Sequence, residues 1–190
     1  MNENKPCERD ERRTVKVSKY LSKHLRHQPE RIGLTLDEAG WVEIDVLIAA
    51  ATEHGFPFTR DELDHVVAAN DKQRFAIDGT RIRASQGHSI DVDLGLPPAT
   101  PPPYLYHGTV ARHLDAIRAE GLRPMNRHDV HLSSERETAT RVGARRGRPI
   151  VLSVHAEAMH RDGHVFHVSA NGVWLTRSVP PRYLRFPEQH

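Results

Sequence analysis

The stretch Arg74–Ser85, RFAIDGTRIRAS, alternates apolar and polar residues on either side of Asp78-Gly79, a dipeptide that favours a tight hairpin turn. Its second arm places Arg81 and Arg83 on one face and Ile82 on the other, because side chains alternate along a strand. What precedes it reads as helix. VSKYLSKHLRH carries Val17, Tyr20, Leu21, His24 and Leu25 on one face, and Pro29 ends the pattern. IDVLIAAATEHG (44–55) predicts a second helix with Asp45 as N-cap and Gly55 at its C-terminal end. TRDELDHVVAAN (59–70) predicts a third, with Thr59 and Glu62 at capping-box spacing. Three helices followed by a two-stranded ribbon predict a winged-helix lobe over residues 1–95, of the kind that often touches nucleic acid.

LPPATPPPY, Leu96–Tyr104, holds five prolines and predicts an extended linker at 96–103. Beyond it, at 104–190, the elements change character. YLYHGT, DVHLSS and RPIVLSVHA read as strands, VARHLDAIRAEGL and ERETATRVGARRG as helices, and HVFHVSANGVWLT as two strands turning at Asn171-Gly172. Short strands outnumber helices, so the whole chain is predicted to be α+β with a mostly antiparallel second lobe.

Composition narrows the function classes. The chain has 190 residues, 37% of them hydrophobic, which suffices for two small cores. No run approaches the length of a membrane helix and MNENKPCERDERR has no apolar core of a signal peptide, so a cytoplasmic protein with no membrane partner is expected. A single cysteine excludes an intramolecular disulfide and cysteine-based zinc sites. The net charge is only +2, so any polyanion site must come from local clusters.

Several clusters qualify, each with an ordinary alternative. SKHLRHQPE (22–30) gathers Lys23, His24, Arg26 and His27 at a helix end: either a solvated face, or an arginine fork and a titratable donor for a phosphate. Arg81 and Arg83 either face solvent or clamp a polynucleotide backbone, with SQGH (85–88) adding donors just after them. In HGT (107–109) the glycine permits close approach of a ligand, and the following helix start offers amide donors to a pyrophosphate. RVGARRGRP (141–149) packs Arg141, Arg145, Arg146 and Arg148 around two glycines, as an anion loop or a solvated helix end. His155, His160, His164 and His167 invite a zinc reading, but no cysteine or carboxylate pattern completes a ligand set, and no metal is expected. No P-loop, GxGxxG or nucleophile elbow occurs.

Taken in order, LSKHLRHQP, RIRASQGHS, LYHGT, VHLSS, VGARRGRPIVL and SANGVWLTRSVPPRYL resemble the RNA 2′-phosphotransferase (Tpt1/KptA) family, from about Ser18 to Phe186. The resemblance implies an NAD-dependent enzyme that removes an internal 2′-phosphate from RNA such as ligated tRNA. It implies that the phosphate attacks the anomeric carbon of the nicotinamide ribose. A 2′-phospho-ADP-ribosylated RNA and free nicotinamide result; the ribose hydroxyl then attacks phosphorus, releasing RNA and ADP-ribose cyclic phosphate. The family's Arg-His-Arg-Arg quartet falls on Arg26, His27, Arg83 and Arg145, with Arg146 and Arg141 as alternative occupants of the fourth place. The second lobe resembles the ADP-ribosyltransferase fold, and His107, Gly108, Thr109, His131, Leu132, Ser133, Asn171, Gly172, Val173 and Trp174 would line its NAD site. The expected partners are NAD and 2′-phosphorylated RNA, bound by a monomer.

The chemistry is consistent with these residue types. A phosphate monoester is largely a dianion at neutral pH, its second pKa being near ~6, so it needs no general base to act as nucleophile. ANGVWL has no glutamate, the residue that many protein-modifying ADP-ribosyltransferases use there. The sequence leaves two rivals: an ADP-ribosyltransferase acting on nucleic-acid phosphate ends or on protein, and a winged-helix regulator with a ligand-sensing domain.

Overall fold

A computed structural model describes residues 5–70 and 72–187, and the chain divides into two units, Met1–Gly95 and Leu96–His190. In the first, helix α1 (Lys5–Arg26) buries Val17, Leu21 and Leu25 completely, the apolar stripe set by its i, i+4, i+8 spacing. His24 shares that stripe at 3% exposure. Pro29 opens a short 3-10 turn to Ile32, closed by Gly33 at φ +67°. The chain continues through β1 (Val42–Glu43), α2 (Ile44–Glu53), α3 (Arg60–Ala68), β2 (Phe75–Asp78) and β3 (Arg81–Ala84). Ile44, Leu47, Leu63 and Ile82 complete the core.

Three expectations change in detail. The N-cap of α2 is Glu43, not Asp45, because Glu43 is still extended, paired with Arg81 as the last residue of β1, and the helix begins at Ile44. Asp45 lies instead in the first turn, where a carboxylate still favours the positive end of the helix dipole. In the hairpin, Asp78 pairs with Arg81, so the turn is Gly79-Thr80, one residue later than predicted, and Gly79 takes the positive φ of +59°. The ribbon also gains a third strand: Val42 and Glu43 pair with Ile82 and Arg81, giving an antiparallel sheet ordered β1-β3-β2. The Thr59–Glu62 capping box is present as predicted, with Glu62 N donating to Thr59 Oγ1 and Thr59 N to Glu62 Oε2.

The second unit runs β4 (Tyr104–Thr109), α4 (Leu114–Glu120), β5 (Val130–Leu132), α5 (Arg136–Ala144), β6 (Ile150–His155), α6 (Ala156–Arg161), β7 (His167–Val168), β8 (Trp174–Thr176) and β9 (Leu184–Arg185). Two antiparallel sheets, β4-β6-β9 and β5-β8-β7, are joined where Tyr106 and Ser133 exchange both backbone hydrogen bonds, at 2.8 and 2.9 Å. Leu105, Leu132, Leu152, Met159 and Phe166 form its core. The proline-rich stretch packs here as well: Ala99 N donates to Phe166 O, and His167 Nδ1 donates to Pro97 O at 3.1 Å. Each unit is a mixture of helices and small antiparallel sheets, so the chain is α+β. Among the described residues no helix is long and apolar enough to cross a membrane.

Candidate functional site

In the first unit the C-terminal end of α1, strand β3 and the segment after it hold the clustered cations. Arg83 is fixed from several sides. Its guanidinium lies 4.6 Å from the centre of the Trp41 ring, and Nη1 donates to Ala39 O at 3.2 Å and Leu94 O at 3.4 Å. Its Nε is buried with no hydrogen-bond partner among the described residues. Leaving a buried donor unpaired costs about 1–3 kcal/mol, and an anion laid against the guanidinium edge would recover it. Arg81, on the same face as predicted, lies 5.3 Å from the same ring and pairs with Asp78 at 3.1 Å.

Arg26 and His27 meet the end of the hairpin. Arg26 Nη2 donates to Arg74 O at 3.3 Å, with the guanidinium 5.9 Å from the Phe75 ring centre. Ser89 N donates to Arg26 O at 2.9 Å, and Ser89 Oγ is hydrogen-bonded to His27 Nδ1 at 2.9 Å. The segment following Arg83 thus returns to the last turn of α1 and orients the imidazole. His24 is a core residue: Nδ1–H donates to Gln28 O, the ring lies tilted against Tyr20 with centres 4.4 Å apart, and burial lowers its pKa.

In the second unit three separated motifs come side by side. The Tyr106–Ser133 bridge sets HGT beside HLS, and β5–β8 pairing sets His131 opposite Leu175 and Leu132 opposite Trp174. His107 Nδ1–H donates to His131 O at 3.1 Å, which leaves Nε2 as the acceptor of a neutral ring. Burial lowers the His107 pKa, the His131 carbonyl opposes this, and the positive charge of Arg146 lowers it further. Arg127 Nη1 donates to His131 Nδ1 at 2.8 Å, so the neutral His131 ring carries its proton on Nε2. One imidazole offers an acceptor and its neighbour a donor, a pairing suited to hydroxyl and amide groups.

The remaining predicted residues are less uniform. Leu132 is 1% exposed and Thr109 6%, so the former packs in the core and can meet a ligand only through its backbone. Gly108 has a reason that the sequence reading did not supply. A Cβ there would lie 1.8 Å from Ala139 O and 2.9 Å from Gly143 N, because α5 packs directly on β4. The glycine admits a helix, and HGT itself is part of the strand. Asn171 accepts from Ser169 Oγ at 2.6 Å, and Gly172 at φ +75° makes the turn into Val173 and Trp174. Helix α5 stops at Ala144, leaving Arg145 as its C-cap and Arg145, Arg146 and Arg148 exposed; Arg141, one turn earlier, donates to Thr138 Oγ1. Trp41, Ser89 and Arg127 are not among the site residues that the sequence pattern picks out. Only the position of Trp41 in a loop, away from any apolar periodicity, could have marked it.

Among the described residues no group of three or more His, Cys, Asp and Glu is placed to hold a metal ion. Guanidinium groups fixed by backbone carbonyls, as at Arg26 and Arg83, are donors of the kind that bind phosphate. The comparisons with known proteins are more specific. Residues 12–178 match the model of "RNA 2′-phosphotransferase, Tpt1 / KptA family", and the chain belongs to that family. It is 85% identical over 178 residues to a "Probable RNA 2′-phosphotransferase" of Streptomyces coelicolor, covering 94% of this chain and 98% of that one. Proteins of the same description from Streptomyces griseus subsp. griseus and Burkholderia pseudomallei are 72% identical (92% of this chain, 97% of theirs) and 56% identical (91% and 95%). A family so defined makes the chain a transferase.

Proposed function

We propose that this enzyme removes an internal 2′-phosphate from RNA, such as ligated tRNA, by transferring it to NAD, with release of nicotinamide and ADP-ribose 1″,2″-cyclic phosphate. The observation that supports this reading most directly is Arg83. Its guanidinium is held over Trp41 by two backbone carbonyls while a buried Nε lacks an acceptor among the described residues, the arrangement of a preorganised anion clamp. Such a group needs no reorganisation when charge builds on phosphorus, so its attraction for the anion goes into lowering the barrier.

In this reading the first unit is a winged-helix lobe that grips the RNA 2′-phosphate through Arg26, His27 and Arg83. Ser89 fixes the His27 ring so that it donates to the phosphate or assists proton movement at the attacking hydroxyl. The second unit is an ADP-ribosyltransferase-like lobe. Bound NAD supplies an anomeric carbon with nicotinamide as its leaving group. His107, held neutral with Nε2 as acceptor, and His131, with Nε2–H as donor, suit the hydroxyls and amide of such a ligand. Gly108, Thr109, Ser133 and Asn171 to Trp174 complete the NAD site in this reading, as the family motif assigns them. Arg145 is the fourth member of the quartet, stabilising the phosphate oxygens as the P–O bond to RNA breaks.

The test is incubation of the enzyme with NAD and an oligonucleotide carrying one internal 2′-phosphate, following phosphate loss and nicotinamide release. Complete conversion with cyclic phosphate formation is expected, and Arg83→Ala should reduce turnover by two orders of magnitude or more, about 3 kcal/mol. An inactive wild type, or a fully active Arg83→Ala, overturns the reading. Nicotinamide release with a stable ADP-ribosylated product, and no cyclic phosphate, assigns the chain to nucleic-acid ADP-ribosylation instead.

A further inference from the structure

A groove of about 650 Å³ runs along α1 in the first unit. One wall is α1 itself, from Thr14 through Ser18, Lys19, Ser22 and Lys23 to His27; the other is the end of α3 and the chain after it, Val66, Ala69, Asn70, Lys72 and Arg74. Four Lys and Arg side chains and His27 line it, and among its described lining residues there is no carboxylate. The opposite end of α1 is different. There Asp10, Asp61 and Glu62 line an adjoining depression, and Arg13 is neutralised by Glu62 at 2.7 Å. Positive charge is therefore concentrated on the half of α1 that leads to His27.

Lys19, Lys23 and His27 stand at i, i+4 and i+8, one stripe with a rise of about 6 Å per step. That step is close to the spacing of neighbouring phosphates on an extended polynucleotide. Lys19 and Lys23 are exposed, and neither enters an ion pair among the described residues. Ser18, Ser22 and Asn70 add neutral donors of the kind that contact phosphates and ribose hydroxyls. Apart from His27 the lining has no aromatic ring on which a base could stack, so the groove is suited to reading backbone rather than bases.

We propose that this groove binds the single-stranded RNA adjoining the 2′-phosphate, through its phosphates and without sequence preference, and so delivers the modified nucleotide to His27. The inference rests on the proposed function for what lies at His27. Its core, a backbone-reading RNA track along α1, is testable without any turnover.

The test compares the wild type with a Lys19→Glu/Lys23→Glu double variant, both sites being on the surface. Two substrates are used: a dinucleotide with a 2′-phosphate at its junction, and an oligonucleotide extending well beyond that junction on both sides. The wild type should prefer the longer substrate, and the preference should fall as salt rises. The variant should keep the wild-type kcat/KM on the dinucleotide and lose the preference. Binding of an unmodified single-stranded oligonucleotide, followed by fluorescence anisotropy, should lose about 1.4 from its log–log salt slope, roughly 0.7 for each of two phosphate contacts. Equal loss on both substrates, or an unchanged salt slope, overturns the track. So does competition by duplex RNA or by polyglutamate as effective as that by single-stranded RNA. If the wild type converts neither substrate while the binding slopes behave as stated, the proposed function fails and the groove stands.

Discussion

The Arg83 guanidinium lies over the Trp41 indole, 4.6 Å from its centre, on the face of β3 that also presents Arg81. The interaction makes the ring a platform that fixes the plane of a cation whose other contacts are two carbonyl oxygens. A cation over an indole contributes about 1–2 kcal/mol when partly desolvated. Trp41→Ala should therefore lower kcat/KM by about 5–30-fold, with Trp41→Phe intermediate. Steady-state kinetics on a 2′-phosphorylated oligonucleotide measure this, and an unaffected Trp41→Ala would show that the ring does not position Arg83.

Ser89 acts on His27 through one hydrogen bond of 2.9 Å. A neutral hydrogen bond is worth about 1 kcal/mol, so Ser89→Ala should cost about fivefold in kcat, and Ser89→Thr, which keeps the hydroxyl, should restore most of it. A structural defect would not be rescued selectively by the hydroxyl. The comparison is made at saturating NAD.

Gly108 and Gly172 should fail differently when replaced. At Gly108 a Cβ meets Ala139 O at 1.8 Å, and neither strand β4 nor helix α5 can retreat without breaking its packing; Gly108→Ala should cost about 3 kcal/mol or more. At Gly172 nothing lies within 4 Å and only the φ of +75° is at stake, so Gly172→Ala should cost about 1–2 kcal/mol. Urea unfolding followed by circular dichroism separates the two. Equal losses would contradict the packing of α5 on β4.

His24, in the core, and the partly buried His107 both have pKa values lowered from the ordinary 6.5, in each case first by desolvation. Folding therefore excludes protons that the unfolded chain accepts. Their contribution to stability is complete above 6.5 and is lost as the pH falls below that value toward the folded pKa values. Urea midpoints should drop between about pH 7.5 and about pH 5, and His24→Asn, which retains a donor near Gln28 O, should flatten the drop in the first unit. Trp41 fluorescence in a Trp174→Phe background reports that unit alone, since the chain has two tryptophans. A steeper dependence in the variant would reverse the assignment of sign.

Local rules carried much of the fold. The Thr59–Glu62 box, the apolar stripe of α1 and the alternation that puts Arg81 and Arg83 together are set by neighbours within a few residues, and sequence pattern shows such terms directly. Glu43, as strand residue and N-cap at once, and the slip of the turn to Gly79-Thr80 depend on β1 pairing with β3, across almost forty residues of chain. A two-residue strand has no periodicity to read. The site shows the same division. Its cations stand in recognisable clusters, whereas Trp41, Ser89 and Arg127 act through contacts made only after folding. The small residue at Gly108 was visible, but not that its reason is the backbone of α5.

The two arginines after α5 should separate by role. Motif register gives the fourth quartet place to Arg145, while Arg146 is the residue whose charge bears on both His107 and Arg127. Arg145→Ala should lower kcat by about two orders of magnitude or more, as expected when a group stabilising transition-state charge is removed, with little change in the affinity for NAD. Arg146→Ala should act mainly on KM for NAD, and with its charge gone the His107 pKa should move upward, toward 6.5. An NMR titration of the imidazole resonances reads that shift independently of turnover. If instead Arg146→Ala abolishes kcat and Arg145→Ala leaves it intact, the fourth place belongs to Arg146, and the motif register is displaced by one residue at the end of α5.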